Sequence, residues 1–497
     1  MNIERSSGIL LHPTSLPGKY GIGTLGKEAF SFIDFLYEAG QKIWQILPLG
    51  PTGFGNSPYQ CYSSVAGNPF LIDLEKLVEE GWIPQNELDN IGSYIFSEDT
   101  VNFNDVIIFK EQMLHKAYLN FKLSATEKEQ NVFEFFCTEN EKWLYDYALF
   151  MALKMHFNNT SWNEWEIDIK LRKKDALKTI SNHLQDEIEY QQFIQWLFFR
   201  QWEVIKEYAG SKKINIIGDM PLYVSYDSAD VWTHPELFLL DKERKPIMVA
   251  GVPPDYFSET GQYWGNPIYN WEQIEKNNFK WWVDRIRYNL KLYDIIRIDH
   301  FRGLCAYWAI PTEEETAVNG KWIEAPGHEL FQAIKKELGE LPIIAEDLGV
   351  MTPEVEELRD SFNFPGMKIL QFAFDATEEN DYLPHSYIKN CIVYTGTHDN
   401  DTVLGWYNKT TDENKKHANE YMDSEDRHIC RAMIRTAFAS TANLAIIPLQ
   451  DILELGDSTR MNTPGTIKGN WNWRFRKDAL NKNIAVRLKK LSALYGR

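Results

Sequence analysis

The sequence contains no apolar run near 18 residues, no tract rich in lysine and arginine, and five cysteines among 497 residues. Without a long apolar run, no transmembrane helix is predicted. The first residues also lack the basic segment and apolar stretch of a secretory signal peptide. The cysteines are odd in number, scattered and never spaced as CxxC, which is typical of free thiols in a reducing compartment. We therefore expect a cytoplasmic protein.

Charge and composition argue against some classes of partner. The formal net charge is −19, and without a basic tract neither nucleic acid nor an anionic membrane is an expected partner. Hydrophobic residues make up 44% and charged residues 25%, which is ordinary for a globular protein. Aromatic residues are abundant, at 14% with 17 tryptophans. Some must pack in the core, but flat aromatic faces also suit the stacking of sugar rings.

The chain repeats one pattern: a short apolar strand, a loop rich in glycine, proline or acidic residues, and a helical stretch. Helical stretches such as 26–40 and 352–362 carry the glycine, threonine and proline signals of helix ends. Alternating strands and helices predict an α/β fold with a parallel sheet, and eight strands predict closure into a (β/α)₈ TIM barrel. The predicted strands are 8–12, 42–49, 214–223, 294–299, 341–347, 367–374, 391–399 and 442–451.

Two long connections interrupt this pattern. Between the second and third strands, aromatic-rich helical patterns predict an inserted, mainly helical subdomain at 51–210. Between the third and fourth strands, 227–275 is rich in proline, glycine and aromatic residues and is predicted to be a long loop over the active site. Loops of this length in compact domains are usually functional. We interpret residues 1–497 as a single catalytic barrel domain with these two insertions.

Two motifs that resemble cofactor sites do not fit their context. GIGTLGKE at 21–28 matches GxGxxG, but a loop separates it from the preceding strand, and Glu28 stands where a P-loop needs serine or threonine. HELFQ at 328–332 begins like a zinc protease helix but has Gln332 in place of the second histidine. We expect neither a cofactor nor a metal site.

Acidic residues end four of the predicted strands. In a TIM barrel the chemistry gathers at the carboxyl ends of the strands. These ends carry Asp219, Asp299, Glu346 and, after His398, Asp399. The strand ends should therefore bring several carboxylates to one rim of the barrel.

The stretch DIIRID at 294–299 places two charges in an apolar strand. Side chains alternate along a strand, so Arg297 and Asp299 share one face. Arg297 would favour the ionised form of Asp299, whereas Glu346 has no cation beside it in sequence, so burial could raise its pKa. An ionised and a protonated carboxyl are the pair that glycoside cleavage requires. The alternative is that Arg297 and Asp299 form a purely structural buried ion pair.

Several segments carry a family resemblance. RIDHF, AEDLG and THDND resemble the conserved regions of the α-amylase clan. Longer segments, among them SGILLHPTSLPGKYGIGTLG, WQILPLGPTGFGNSPYQ and NTPGTIKGNWNWR, are similar to its 4-α-glucanotransferase (amylomaltase, disproportionating enzyme) family. The likeness extends over essentially the full chain. It implies a glycosyltransferase acting on α-1,4-glucans, such as malto-oligosaccharides and amylose, by a retaining mechanism without a cofactor.

The resemblance also implies roles for individual residues. Asp299 would be the nucleophile of a covalent glucosyl-enzyme, Glu346 the acid/base, and Asp399 a third acid that grips sugar hydroxyls. Further residues would support the sugar or order the site: Arg297, His398 and Asp219.

Transfer rather than hydrolysis needs an acceptor glucan held by stacking while water is kept out. Tyr59 and Trp264 lie in glycine- and proline-rich loops after the second and third strands, where they could stack on sugars. Ser57 and Asn472 are further candidates for substrate binding. The segment 250–267 is predicted to act as a lid over bound glucan.

Two alternatives remain open from the sequence. A retaining α-1,4-glucan hydrolase would need the same three acids, and a non-catalytic glucan-binding protein could share the barrel. We expect a monomer or a homodimer.

Overall fold

The computed structural model describes residues 4–90, 92, 94–254, 258–349, 351–375 and 380–497. Within these ranges the strands are β1 (Ser6–Leu10), β2 (Ile43–Gln45), β3 (Asn215–Met220), β4 (Met248–Val252), β5 (Gln262–Pro267), β6 (Ile295–Ile298), β7 (Ala306–Pro311), β8 (Lys321–Glu324), β9 (Ile343–Ala345), β10 (Gly366–Ile369), β11 (Cys391–Tyr394) and β12 (Leu444–Pro448).

Eight of these strands form one parallel sheet in the order β10-β11-β12-β1-β2-β3-β6-β9. The two end strands approach each other, and the backbone N–H of Ala345 donates to the carbonyl of Pro365 at 3.0 Å. The (β/α)₈ TIM barrel that the sequence predicts is therefore confirmed, with all eight strands in their predicted places. Most are shorter than predicted.

The helices of the described ranges surround this sheet and fill the first insertion. None of them is long and apolar enough to cross a membrane. They are α1 (Lys27–Glu38), α2 (Leu74–Glu79), α3 (Gln85–Asp89), α4 (Phe103–Ser124), α5 (Glu127–Glu139), α6 (Glu141–His156), α7 (Ile167–Lys170), α8 (Lys174–His183), α9 (Gln185–Ser211), α10 (Ala229–Thr233), α11 (Trp271–Lys276), α12 (Lys280–Leu292), α13 (Gly327–Leu338), α14 (Pro353–Ser361), α15 (Val403–Lys409), α16 (Asp412–Met422), α17 (Ile429–Ala439), α18 (Leu449–Ile452) and α19 (Lys482–Tyr495).

Helices α2–α9 lie between β2 and β3, as the sequence predicts for this connection. The long α9 packs against α4, α5 and α6 within the insertion, and against α1 and α12 of the barrel. Aromatic rings fill much of this interface; Trp82, for example, contacts Phe121 and Trp196 with ring centroids 5.2 and 5.7 Å apart. A large share of the aromatic content is therefore packing rather than sugar binding.

The connection 227–275 contains more regular structure than the loop that the sequence predicts. This segment contains α10, β4 and β5, and β4 lies in a four-stranded antiparallel sheet of order β5-β4-β7-β8. The sequence pattern missed the sheet because β4 pairs with β7. β7 begins more than fifty residues after β4 ends, beyond β6, the fourth strand of the barrel. Residues 255–257, inside the predicted lid 250–267, lie outside the described residues.

A buried arginine joins three distant parts of the chain. Arg474 is 1% exposed, and its guanidinium donates to the carbonyls of Leu16, Gly18 and Ser97. It thereby ties the C-terminal segment to the loop after β1 and to the first insertion. These contacts hold the C-terminal segment against the rim of the barrel.

Candidate active site

The carboxyl ends of four barrel strands bring the predicted site residues together. Asp219 lies within β3, Asp299 directly follows β6, and Glu346 directly follows β9. His398 and Asp399 lie in the loop after β11. The contacts below join these residues into one network on the rim where barrel chemistry is expected.

Arg297 is the centre of this network. It is 3% exposed and points into the barrel, where its Nε contacts the sulfur of Met367 on β10 at 3.4 Å. Its Nη1 donates to both carboxylate oxygens of Asp219 at 2.7 Å, and its Nη2 lies 2.9 Å from Oδ1 of Asp299. The strand register makes the first contact possible, because Asp219 on β3 lies directly opposite Arg297 on β6.

The two carboxylates beside Arg297 differ in exposure. Asp219 is 1% exposed and also accepts a hydrogen bond of 2.7 Å from the hydroxyl of Tyr59. The Asp299 side chain is 29% exposed. Burial alone would lower the pKa of Arg297, but the charges of Asp219 and Asp299 raise it well above its ordinary value. A permanent cation therefore lies between a fully enclosed carboxylate and one that a ligand can reach.

Glu346 lies where burial and a neighbouring negative charge favour the protonated form of its carboxyl group. Burial is the largest cause that raises its pKa to about 8, and the negative charge of Asp299 raises it further. The carboxyl accepts backbone N–H groups from His300 at 2.6 Å and from Leu348 at 3.2 Å. His300 adopts a left-handed conformation, with φ of 52°, at the position that provides the first of these donors. Glu346 is therefore mostly protonated at neutral pH and fixed in orientation.

Asp399 is held ionised. Partial burial would raise its pKa, but the charge of His398 and hydrogen bonds from His398 and Asn462 hold it at about 2. Nε2 of His398 lies 3.4 Å from Oδ2 of Asp399, and Nδ2 of Asn462 lies 2.6 Å from Oδ1. The charge of Asp399 in turn outweighs the burial of His398 and raises the histidine pKa. The site thus combines ionised and protonated carboxyl groups, the pattern that separates acid and base roles.

Tyr59 and Trp264 each pack on a residue that contacts one of the predicted acids, His398 for Tyr59 and His300 for Trp264. The ring of Tyr59 stacks on His398 with centroids 5.1 Å apart and planes at 17°. The edge-to-face contact of Trp264 with His300 has a centroid distance of 4.8 Å. Trp264 is half-buried, and its indole N–H donates to the side chain of Gln262. Sugar stacking by either ring stays a prediction.

Ser57 and Asn472 have structural contacts of their own. The hydroxyl of Ser57 accepts the backbone N–H of Tyr59 at 3.2 Å and so shapes the turn that presents that ring. The carbonyl of Asn472 accepts the N–H of Val101 from the first insertion at 2.7 Å. Substrate binding by either side chain stays a prediction.

Three residues of the C-terminal segment contact the site and were not found from the sequence. Arg460 donates to the carbonyl of Asp399, and Asn462 donates to its carboxylate. The ring of Trp471 lies 5.7 Å from that of Tyr59. All three lie at least sixty residues beyond the last acid in an irregular segment. Asn462 and Trp471 belong to NTPGTIKGNWNWR, but that stretch has no periodic pattern that would indicate contacts with Asp399 or Tyr59.

Residues that commonly ligate metals do not cluster in the part of the chain that the structure describes. No group of three or more histidine, cysteine, aspartate or glutamate side chains there could hold a metal ion. All five cysteines lie in described segments and are free thiols.

Comparison with known proteins decides the family. A model of the 4-alpha-glucanotransferase family matches residues 11–480. The chain belongs to this family. It is 52% identical to the 4-alpha-glucanotransferase of Synechocystis sp., over 99% of this chain and 98% of that protein. It is 48% identical to the 4-alpha-glucanotransferase of Thermus thermophilus, over 99% of each chain.

Solved structures of family members have the same architecture. The amylomaltase of Streptococcus agalactiae in complex with acarbose superposes with a TM-score of 0.97 at 45% identity, over 99% of this chain and 100% of that one. The amylomaltase of Corynebacterium glutamicum superposes with a TM-score of 0.81 at 18% identity, over 98% of this chain and 75% of that one. The second likeness shows that the fold persists when most residues differ.

The buried ion pair at the centre of the site makes a stability prediction. Arg297→Met removes the cation and leaves Asp219 buried and unpaired, which should lower the free energy of unfolding by about 3 kcal/mol. Adding Asp219→Asn removes the unpaired charge and should restore part of the loss. Unfolding followed by circular dichroism measures both changes.

The matched control is Lys276→Met, which breaks an exposed pair with Glu272 on α11 and should not shift unfolding measurably. If Arg297→Met behaved like this control, or if the two site substitutions were simply additive, the ion pair would not have the central structural role assigned to it.

Proposed function

We propose that this chain is a 4-α-glucanotransferase that moves a segment of an α-1,4-glucan to the 4-hydroxyl of an acceptor glucan or glucose. The reaction would proceed by a retaining double displacement. The observation that carries the proposal is the pair formed by Asp299, ion-paired to Arg297 and reachable by a ligand, and Glu346, whose pKa is raised to about 8. Family membership supports the substrate class: malto-oligosaccharides, amylose and related glucans.

In the first step Asp299 attacks the anomeric carbon while Glu346 donates its proton to the leaving glycosidic oxygen. The carbon–oxygen bond breaks, the reducing-end fragment leaves, and the rest of the glucan stays bound to Asp299 as an ester. The ester carries no negative charge. Arg297 nevertheless keeps a counter-charge, because both oxygens of Asp219 still pair with it.

In the second step the deprotonated Glu346 takes the proton of an acceptor 4-hydroxyl, which attacks the anomeric carbon and releases Asp299. The charges favour this change of role. The negative charge of Asp299 raises the pKa of Glu346 in the free enzyme, and ester formation removes that charge. The pKa of Glu346 should therefore fall at the stage where it must act as a base.

Further residues would hold the sugar at the cleavage site. Asp399, ionised and with 44% of its side chain exposed, can accept hydrogen bonds from sugar hydroxyls. His398 orients Asp399 and, together with Tyr59, forms one wall of the site. Asp219 orders the site through Arg297.

Trp264 connects the second insertion to the acid/base. It lies on β5, and its ring packs on His300, whose backbone N–H donates to Glu346. We propose that 227–275, with the predicted lid 250–267, covers bound glucan and excludes water while the acceptor binds. Inserted helices at 51–210 would complete one catalytic domain over 1–497. A cytoplasmic location and a monomeric or homodimeric state stay predictions.

Incubation with maltotriose tests the proposed function. A transferase gives glucose together with oligosaccharides longer than the substrate, and Asp299→Asn should abolish both. Only shorter products would indicate a hydrolase. No products from the folded wild type, or full turnover by Asp299→Asn, would indicate that the three acids do not act as proposed.

The raised pKa of Glu346 predicts the basic limb of the pH profile. The proton needed for the first step is present below about pH 8 and lost above it, so kcat/KM for maltotriose should fall as the pH rises through about 8. Glu346→Gln should lower kcat/KM for maltotriose roughly a thousandfold. The loss should be much smaller for α-maltosyl fluoride, whose leaving group needs no proton. Equal losses for both donors would contradict the acid role.

The position of Trp264 predicts that its loss changes the ratio of transfer to hydrolysis. Trp264→Ala opens the covered side of the site and removes a stacking surface. The ratio should fall by roughly tenfold, which corresponds to about 1.4 kcal/mol of lost discrimination. The control is Tyr263→Ala, an exposed neighbour on the opposite face of β5. If Trp264→Ala kept the wild-type ratio of transfer to hydrolysis, the proposed lid role of Trp264 would be contradicted.

A further inference from the structure

One short stretch of the C-terminal segment makes three hydrogen bonds to the pair His398–Asp399. The backbone N–H of Asn462 donates to the carbonyl of His398 at 3.1 Å. Nη2 of Arg460 donates to the carbonyl of Asp399 at 2.5 Å, and the amide of Asn462 donates to the Asp399 carboxylate at 2.6 Å. Both carbonyls and one carboxylate oxygen are thus held from a part of the chain outside the barrel strands.

This stretch is one side of the neck of an exposed loop, 461–471. The neck closes where the backbone N–H of Trp471 donates to the carbonyl of Met461 at 2.7 Å. Trp471 is buried and has a φ of 63°, a left-handed conformation that is unfavourable for a bulky residue. Its ring packs against Tyr59 and His398. Both sides of the neck therefore contact active-site residues, while 463–469 is exposed.

The loop does not need the side chain of Asn462 for its own closure. Its tip is held internally by Thr466, whose hydroxyl donates to the carbonyl of Thr463 at 2.7 Å, and by the side chain of Asn470. The amide of Asn462 instead leaves the loop and reaches Asp399. The loop could thus keep its shape with other residues at position 462, whereas the contact with Asp399 requires a hydrogen-bond donor there.

The contact has a geometric consequence for Asp399. Rotation of an aspartate carboxylate about χ2 is soft. Here Oδ1 is fixed by Asn462 and Oδ2 faces the ring of His398. The charged groups that act on this carboxylate are His398 and Arg297, and Asn462 supplies its neutral donor. Without Asn462, Oδ1 of Asp399 would lose its hydrogen-bond donor, and only the contact of Oδ2 with His398 would fix the plane of the carboxylate.

We propose that Asn462 is a positioning residue for Asp399, and that its amide holds the carboxylate in the plane in which it accepts hydroxyl groups of the sugar at the cleavage site. The inference rests on the proposed function, in which Asp399 binds that sugar. Asn462 itself does not contact the reacting atoms.

Two substitutions and one control test this inference. Asn462→Ala removes the donor. Asn462→Asp keeps the shape but replaces the donor by a second carboxyl group. The control Thr466→Val breaks a hydrogen bond of the same loop that does not reach Asp399. Circular dichroism and the midpoint of thermal unfolding establish that each variant is folded.

Asn462→Ala should lower kcat for maltotriose transfer by roughly ten- to a hundredfold, the effect of a misplaced group in the transition state, with KM changed less than about threefold. Thr466→Val should stay within about twofold of wild type. Retention of wild-type kcat by Asn462→Ala would overturn the inference.

Asn462→Asp separates positioning from shape through its pH dependence. Two adjacent carboxyl groups raise the pKa of one of them, so the pair takes up a proton as the pH falls. The protonated introduced group can then donate to Asp399 as the amide does. Activity relative to wild type should therefore rise from pH 8 to pH 5. A pH-independent ratio would mean a merely structural role, and this outcome decides the matter even if Asn462→Ala does not fold.

Binding of acarbose, measured by calorimetry, separates this inference from the proposed function. Weaker binding by both Asn462 variants, by about tenfold or more, supports positioning of Asp399 even if the wild type showed no transfer. Transfer by the wild type, with unchanged binding and turnover in both variants, would overturn the inference and leave the proposed function intact.

Discussion

The guanidinium of Arg297 lies inside an apolar barrel between two carboxylates, and the rest of the site depends on this arrangement. It pairs through one nitrogen with both oxygens of Asp219 and through another with Asp299. A single buried charge would be costly, and in the proposed mechanism a single pair would be broken when Asp299 forms an ester. The second carboxylate would remove that difficulty, because Arg297 would keep Asp219 as a partner at every stage of the proposed reaction. The direct register of β3 with β6 makes the arrangement possible.

The remaining groups follow from the charges that this centre creates. Burial raises the pKa of Glu346, and the negative charge of Asp299 raises it further, so Glu346 is mostly protonated at neutral pH. Asp399 lies beyond them and is held ionised by His398 against the effect of its own burial. Three carboxyl groups with the same intrinsic chemistry thus acquire different roles through their neighbours.

The barrel and the acids could be predicted from the sequence because both depend on local patterns. Each strand is a short apolar run. Asp219 lies within one such run, Asp299 and Glu346 directly follow one, and Asp399 lies in the loop after another. The antiparallel sheet was missed because β4 finds its partner in β7, beyond the next barrel strand. The contacts of Asn462 and Trp471 were missed for a related reason. Their loop is irregular, and the buried Arg474 and pairing with the insertion bring it to the site.

The aromatic residues also show what could and could not be predicted from the sequence. Their abundance suggested sugar binding, yet many of the rings pack within the helical insertion, and Tyr59 stacks on His398. Composition could not separate these uses, because both favour flat apolar surfaces. Trp264 combines them, since it is half-buried on β5 and packs on the residue whose backbone holds Glu346.

The most direct test of the central claim is to trap the covalent intermediate. A fluorinated maltosyl fluoride donor that forms the ester normally but releases it slowly should leave a glycosyl group on the enzyme. Mass spectrometry of peptides should then place the added mass on Asp299, and Asp299→Asn should acquire none. An adduct on Glu346 or Asp399, or inversion at the anomeric carbon without any adduct, would contradict the account.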